Sequence, residues 1–266
     1  MTPKVLVDGR GLVECPRWHD GRLWFADWTA GEILCLAEDG TVEVMGRAPG
    51  PPLSFDFASD GALLVLASGE TRLLRQAADG TLQPFADLGE GGLWNEIVVD
   101  GRGIAYVNGP RLMRVAPDGR AEAQAEGFAF PNGMAVTTDN QTLILAESHA
   151  ERLTAFDIDA AGRLSRRRVW AETPGDHPDG VCLDAAGALW FADVGGAHCR
   201  RVAEGGKVLD EITLDRGAFA CVLGGPDRRT LYITAARWFG MDRMGEMAGT
   251  GQVLSVRVET PGVGWP

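Results

Sequence analysis

Six positions in this chain could gather oxygen ligands at one point. They are Glu14 in VECPRW, Ser54 in LSFDFA, Asn95 in WNEIVVD, Asn132 in PNGMAVT, Asp179 in PDGVCLD and Ala220 in FACVLG. Each stands a short, nearly constant distance ahead of the turn that opens the next apolar run. Two are carboxylates, two are carboxamides and one is a hydroxyl; none is Lys or Arg. Carboxylates brought together away from water repel one another unless a positive charge lies between them. A divalent cation would supply it. A donor set of oxygen alone, without Cys or His, suits Ca2+ first, with Mg2+, Mn2+ and Zn2+ as alternatives. A single PNG or PDG is ordinary turn chemistry; four carboxylates and amides in register are not.

What must position them is a repeat. A turn followed by an apolar strand recurs as HDGRLWFAD, SDGALLVLAS, GRGIAYVN, DNQTLILAES, AAGALWFADV and PDRRTLYITA. The anchors Trp24, Leu64, Ala105, Leu145, Trp190 and Tyr232 lie 40, 41, 40, 45 and 42 residues apart. A further short strand follows each copy, at 31–36, 72–76, 111–115, 152–159, 198–203 and 251–258, and usually another after it. No long stretch keeps a 3.6-residue apolar period, so helices should be few. Four-stranded units of about 42 residues in a ring predict an all-β, six-bladed β-propeller. It forms a single domain over residues 1–266. The sixth unit lacks an evident fourth strand, and the N-terminal PKVLVDG is left over; pairing the two would close the ring and leave no long edge.

Composition narrows the partners. A net charge of −12 is a poor match to nucleic acid, which demands a basic stripe. The five cysteines form no C-x-x-C pair and give neither a zinc framework nor a disulfide scaffold. The N-terminus has no apolar run of signal-peptide length and no segment approaches a membrane span. The expectation is a cytoplasmic monomer without nucleic-acid or membrane partners.

The elements ECPRW, WNEIVVDGRG, PNGMAVT…LILAES and HPDGVCLDAAGALWFAD closely resemble the regucalcin (senescence marker protein)/gluconolactonase family of six-bladed propellers, over nearly the whole chain. The resemblance implies one divalent metal at the top of the central channel, held at the positions of Glu14, Asn132 and Asp179, and hydrolysis of lactones. It also implies that Asn95 lies beside the metal and contacts substrate. Sugar-lactone members carry an Arg two residues before that Asn; this chain has Leu93, followed by Trp94, an apolar wall instead of a charged fork.

These readings combine into a metal-dependent lactonase or esterase acting on a small-molecule lactone or ester, with a preference for less polar ones. The cation would polarise the carbonyl and stabilise its oxyanion. Asp179 would take the proton of the attacking water, or attack the carbonyl itself, and Asn95 would orient substrate. The alternative from another class is a calcium- or small-ligand-binding propeller without catalysis, since fold alone does not choose.

Several further residues bear on the pocket. The stretch 236–251 stands outside the repeat and holds Trp238, Phe239 and three Met, which suggests a lid or pocket wall. Phe55, Trp94, Phe130 and Phe219 flank the six positions and either complete an apolar pocket or pack between blades. His177 lies two residues before Asp179, within reach of the pocket. His149 and His198 read as structural or solvated, and Glu147 as a support for neighbouring backbone. Ser54 lies in no G-x-S-x-G elbow, which argues against a serine triad.

Overall fold

A computed structural model describes residues 2–37, 39–48, 50–67 and 71–266 of the chain. The last residue of the second repeat copy, Ser68, lies outside them. The described residues form six antiparallel sheets arranged as a six-bladed propeller, four of them of four successive strands, the fifth with a fifth strand from the C-terminal segment and the sixth completed by the N-terminal strand. All six repeat anchors fall in the second strands of their blades, for example Trp24 in Arg22–Asp27 and Trp190 in Leu189–Asp193. Among the described residues helix is confined to two short 3-10 segments, Ser148–Ala150 and Met241–Met247. Among the described residues no helix is long and apolar enough to cross a membrane.

The near-continuous apolar runs have a simple cause. Successive side chains of a strand point to opposite faces, and each blade is covered on both faces by its neighbours. In Leu189–Asp193, Leu189 and Phe191 pack against blade 4, whereas Trp190 and Ala192 pack against blade 6. The buried side chains fall into six clusters, centred on the six blade interfaces. Burying one such Leu or Phe contributes about 1.5–3 kcal/mol, so each interface holds its blades together without help from the channel.

The ring closes as the sequence suggests. Lys4–Arg10 adds to the sixth blade as its outer strand, paired with Gly251–Arg257. The chain's last residues do something the repeat does not announce. Gly262–Val263 pairs with the innermost strand of blade 5, and Trp265 exchanges two backbone hydrogen bonds with Val136 of blade 4. Pro266 reaches a small void in the channel beside Arg17 and Glu96, so this end of the channel is plugged by the chain itself.

Candidate active site

The innermost strands are Val13–His19, Leu53–Phe57, Glu96–Val99, Pro131–Val136, Pro178–Asp184 and Gly217–Gly224. In blades 1, 4 and 5 the second strand ends in an acid that faces the same point of the innermost strand: Asp27 opposite Val13, Glu147 opposite Pro131, Asp193 opposite Pro178. The very next residue in each innermost strand is Glu14, Asn132 or Asp179; in blades 4 and 5 the β-bulge begins at that residue, whereas in blade 1 Glu14 still pairs with Ala26 and the shift falls between Glu14 and Arg17. Three residues of the inner strand there oppose two of its partner. A bulge re-aims side chains at a rim, and these three share one position in the repeat. So PNG and PDG are not turns. Their glycines serve close approach: a Cβ on Gly133 would lie 2.5 Å from the Asp179 carbonyl oxygen, and one on Gly180 would lie 2.2 Å from the Ala220 Cβ.

Glu14, Asn132 and Asp179 line a cavity of about 510 Å3 at the open end of the channel, together with Asn95, just ahead of its strand. The other two positions of the six do not reach it. Ser54 is fully buried, its hydroxyl 2.7 Å from the Asn95 carbonyl and 3.0 Å from Glu96 Oε1, with one proton to share between them. Ala220 borders the void below. A hydrogen-bonded chain fixes the amides across three blades. Asn95 Nδ2 donates to Asn132 Oδ1 at 3.2 Å, Asn132 Nδ2 to Ser148 Oγ at 3.3 Å, and the Ser148 hydroxyl to the Pro178 carbonyl at 2.7 Å. Asn132 Oδ1 keeps a lone pair free, and Asn95 Oδ1 is left to accept from the cavity. Ser148 and Glu96 were not singled out by the sequence; the signal for Ser148 was its place directly after Glu147.

Beneath this floor lies a charged cluster. Arg17 Nη2 is 3.3 Å from Glu96 Oε2 and donates to the Ile97 carbonyl at 2.6 Å, and its Nε is 3.6 Å from Asp56 Oδ2. Three carboxyl groups, Glu14, Asp56 and Glu96, thus gather about one guanidinium, and Asp179 lies near Glu14 and Glu96. Burial, reinforced by Glu96, pushes the Glu14 carboxyl up to about 8. Burial, then Glu14, Glu96 and Asp193, pushes Asp179 well above the usual carboxylate range. Asp56 and Glu96 are raised too, mainly by burial and despite Arg17. A pocket floor with two carboxyl groups, an amide oxygen and no thiol suits a hard divalent cation.

The walls are apolar. Trp28 and Pro52 are buried in them, Phe219 meets Trp238 edge-on at 5.6 Å, and Phe130 stacks on His149 at 4.6 Å. Leu93, Trp238 and Met241 stand exposed at the mouth. His149 therefore borders the cavity, as does His177. Trp94 does not: it is 2% exposed and packs between blades 2 and 3 with Leu64, Leu73 and Ile97. The reason is alternation along extended chain. Leu93 and Asn95 face the cavity, so the residue between them faces away. Phe55 likewise packs between blades 1 and 2. The 236–251 stretch forms part of the wall through Trp238 and Met241, while Met247 anchors it, fully buried.

Two neighbouring groups brace the loops. Glu147 accepts from Ala129 N at 3.0 Å and Thr154 Oγ1 at 2.6 Å and pairs with Arg152 and Arg167. Asp176, Asp193 and His198 converge behind the His177 loop, each with a ligand atom within 4.8 Å of the others'. Their oxygens are already engaged: Arg200 takes both oxygens of Asp176, and Asp193 accepts from His177 N and Gly196 N.

Residues 12–237 match the sequence profile of the SMP-30/gluconolactonase/LRE-like region. A 6-deoxy-6-sulfogluconolactonase of Pseudomonas putida is 28% identical over 96% of this chain and 94% of its own. A pentonolactonase of Haloferax volcanii is 27% identical over 92% and 89%. The solved structure of a calcium-binding protein, regucalcin, from Agrobacterium tumefaciens superposes with a TM-score of 0.82 at 20% identity, covering 100% of this chain and 96% of the other.

Proposed function

The chain belongs to the SMP-30/gluconolactonase/LRE-like family, and on that premise we propose that it is a divalent-metal-dependent lactonase. The relatives named as lactonases support lactone hydrolysis. The observation that carries the metal dependence is the repeat position shared by Glu14, Asn132 and Asp179. Three bulged strands deliver two raised carboxyls and an amide oxygen to one cavity floor. These three residues would hold the cation, Ca2+ by the hardness of the set, with Mn2+, Mg2+ or Zn2+ as substitutes. The bound ion would supply Lewis-acid polarisation of the lactone carbonyl and neutralise its developing oxyanion.

The chain's own residues do the rest. Asp179 accepts a proton from water as the water oxygen bonds to the carbonyl carbon. The ring C–O bond then breaks, and the proton passes to the departing alkoxide, giving a hydroxy acid. Asn95 accepts from the water or from the substrate through Oδ1 and holds it against the floor. The Asn95–Asn132–Ser148 chain keeps both carboxamides in one orientation, so no reorganisation accompanies the reaction. General-base assistance of this kind contributes about 10²–10⁴-fold.

The test is hydrolysis followed by pH-stat across a lactone panel, on protein as purified, after chelation, and after return of Ca2+, Mn2+, Mg2+ or Zn2+. Turnover lost on chelation and restored by one cation, and lowered at least a hundredfold in Asp179→Asn, is expected. Cation binding without turnover of any lactone would replace this reading by the calcium-binding one.

A further inference from the structure

The cavity divides by chemistry along its depth. Its polar groups, apart from two exposed histidines at the mouth, sit on the floor: Glu14, Asn95, Asn132, Asp179 and, behind them, Ser148. No Lys or Arg lines it among the described residues. Above the floor the walls offer two aromatic surfaces, the Phe219–Trp238 edge pair and the Phe130–His149 stack, with Leu93 and Met241 between them and solvent. A polyhydroxylated sugar lactone would set most of its hydroxyls against walls where, among the described residues, only His149 and His177 at the mouth offer side-chain donors or acceptors, and an unmet buried polar group is costly. An anionic group carried away from the lactone carbonyl would find no Lys or Arg on the walls. The contrast with a relative named for a sulfonated lactone is direct: no guanidinium or ammonium waits here for a sulfonate.

We propose that the substrate is an uncharged lactone carrying a flat or aliphatic apolar group, seated with its carbonyl on the floor and that group between Phe130 and Trp238. This rests on the lactonase reading of the site. The volume fits: about 510 Å3 holds a bicyclic or alkyl-substituted ring, within the range of small-molecule pockets. Leu93, Phe130, Trp238 and Met241 are then the specificity residues.

Two measurements on metal-loaded protein test it. The first compares kcat/KM for dihydrocoumarin, an alkyl δ-lactone, glucono-1,5-lactone and the anionic saccharic acid 1,4-lactone. The apolar pair should exceed gluconolactone at least tenfold and the anionic lactone at least a hundredfold. The variant Leu93→Arg, at a position 61% exposed and so safe for folding, should raise kcat/KM for the anionic lactone tenfold or more. Trp238→Ala and Phe130→Ala together should shrink the dihydrocoumarin-to-gluconolactone ratio at least tenfold. The second measures, by calorimetry, binding of the non-hydrolysable lactams dihydroquinolinone and gluconolactam; the former should bind at least tenfold more tightly. Faster hydrolysis of gluconolactone than of dihydrocoumarin would overturn this inference and leave the lactonase reading intact. Tight dihydroquinolinone binding without turnover of any lactone would overturn the lactonase reading and uphold the shape and polarity argued here. Failure to bind either lactam, or equal binding of both, would overturn the inference.

Discussion

Glu14→Gln in metal-stripped protein isolates the charge that the fold forces onto the cavity floor. Burial and Glu96 push the Glu14 carboxyl up to about 8, against an ordinary value of 4.5. Between those values the folded protein holds a proton that the unfolded chain has released. The native state binds the extra proton, so stability must fall as pH rises through the window, by about 1.4 kcal/mol per pH unit for one such carboxyl. In a domain of this size 1 kcal/mol moves Tm by about 2–4 °C. Thermal unfolding in chelator at pH 5, 6, 7 and 8 should therefore show wild-type Tm dropping by roughly 3–6 °C per unit relative to Glu14→Gln. Glutamine keeps an oxygen for the Cys15 N–H that Glu14 Oε2 accepts at 2.9 Å, so the packing is held constant.

The difference between the two proteins removes the remaining titrations. Asp56 is raised in both, and the surface carboxyls that are lowered, such as Asp60 and Asp139, titrate below the window. Loss of Glu14 also removes one of the charges that raise Asp179, which acts in the same direction. A saturating divalent cation should flatten the wild-type slope, because metal ligands must be deprotonated to bind and binding releases protons. Parallel Tm curves for the two proteins in chelator would refute the argument: Glu14 would then already be ionised in the folded state, and its charge would be met by something other than a cation.

Three other substitutions probe the frame around the site. Gly133→Ala puts a Cβ against the Asp179 carbonyl and Gly180 Cα; backbone cannot yield as a side chain can, so urea denaturation should show a loss of about 1–3 kcal/mol and calorimetry a weaker cation affinity. Arg17→Met strands Glu96 and Asp56 without their counter-charge and should cost about 3–5 kcal/mol, seen as a lower urea midpoint that partly recovers as pH falls and these raised carboxyls take up protons. Trp94→Phe should lower stability by thinning the interface between blades 2 and 3 while leaving KM for every lactone within twofold; a KM change confined to large apolar lactones would put Trp94 back in the pocket wall.

What the sequence made legible, and what it did not, follows from separation along the chain. The blades were legible because each carries its own turn, second strand and third strand within about forty residues, and the third strands expected at 72–76 and 111–115 are those observed. Glu14, Asn132 and Asp179 were legible as a set because the repeat places them in register. The charged cluster beneath them was not. Arg17 meets Glu96 and Ile97 across 79 and 80 residues, through three innermost strands whose convergence no local pattern states. The C-terminal strand was hidden for the same reason: Gly262–Val263 pairs with a strand some eighty residues earlier. Trp94 is a different failure. Its neighbours on both sides face the cavity, and period-two alternation was enough to turn it away.

The bulges connect these points to the chemistry. Had the innermost strands of blades 4 and 5 paired without an extra residue, strict alternation would have carried the side chains after Pro131 and Pro178 into the blade interfaces. In blades 4 and 5 the extra residue frees the side chains of Asn132 and Asp179 from the alternation, whereas in blade 1 the shift comes just after Glu14. Inserting the same residue in three blades costs ladder hydrogen bonds three times over, at sites where burial already penalises two carboxylates. A fold that keeps a bulge at or just after each of these three residues, while blades 2 and 3 pair their innermost strands without a shift, has placed these irregularities beside the cavity floor and, in blade 6, at Ala218–Ala220, which presents no oxygen side chain. That asymmetry within a six-fold repeat is the physical mark of the site. It also implies an order of dependence: the blades specify the floor, and the floor contributes little to holding the blades. Removing the floor's carboxylates should therefore stabilise the metal-free ring at neutral pH, while the same change abolishes cation binding.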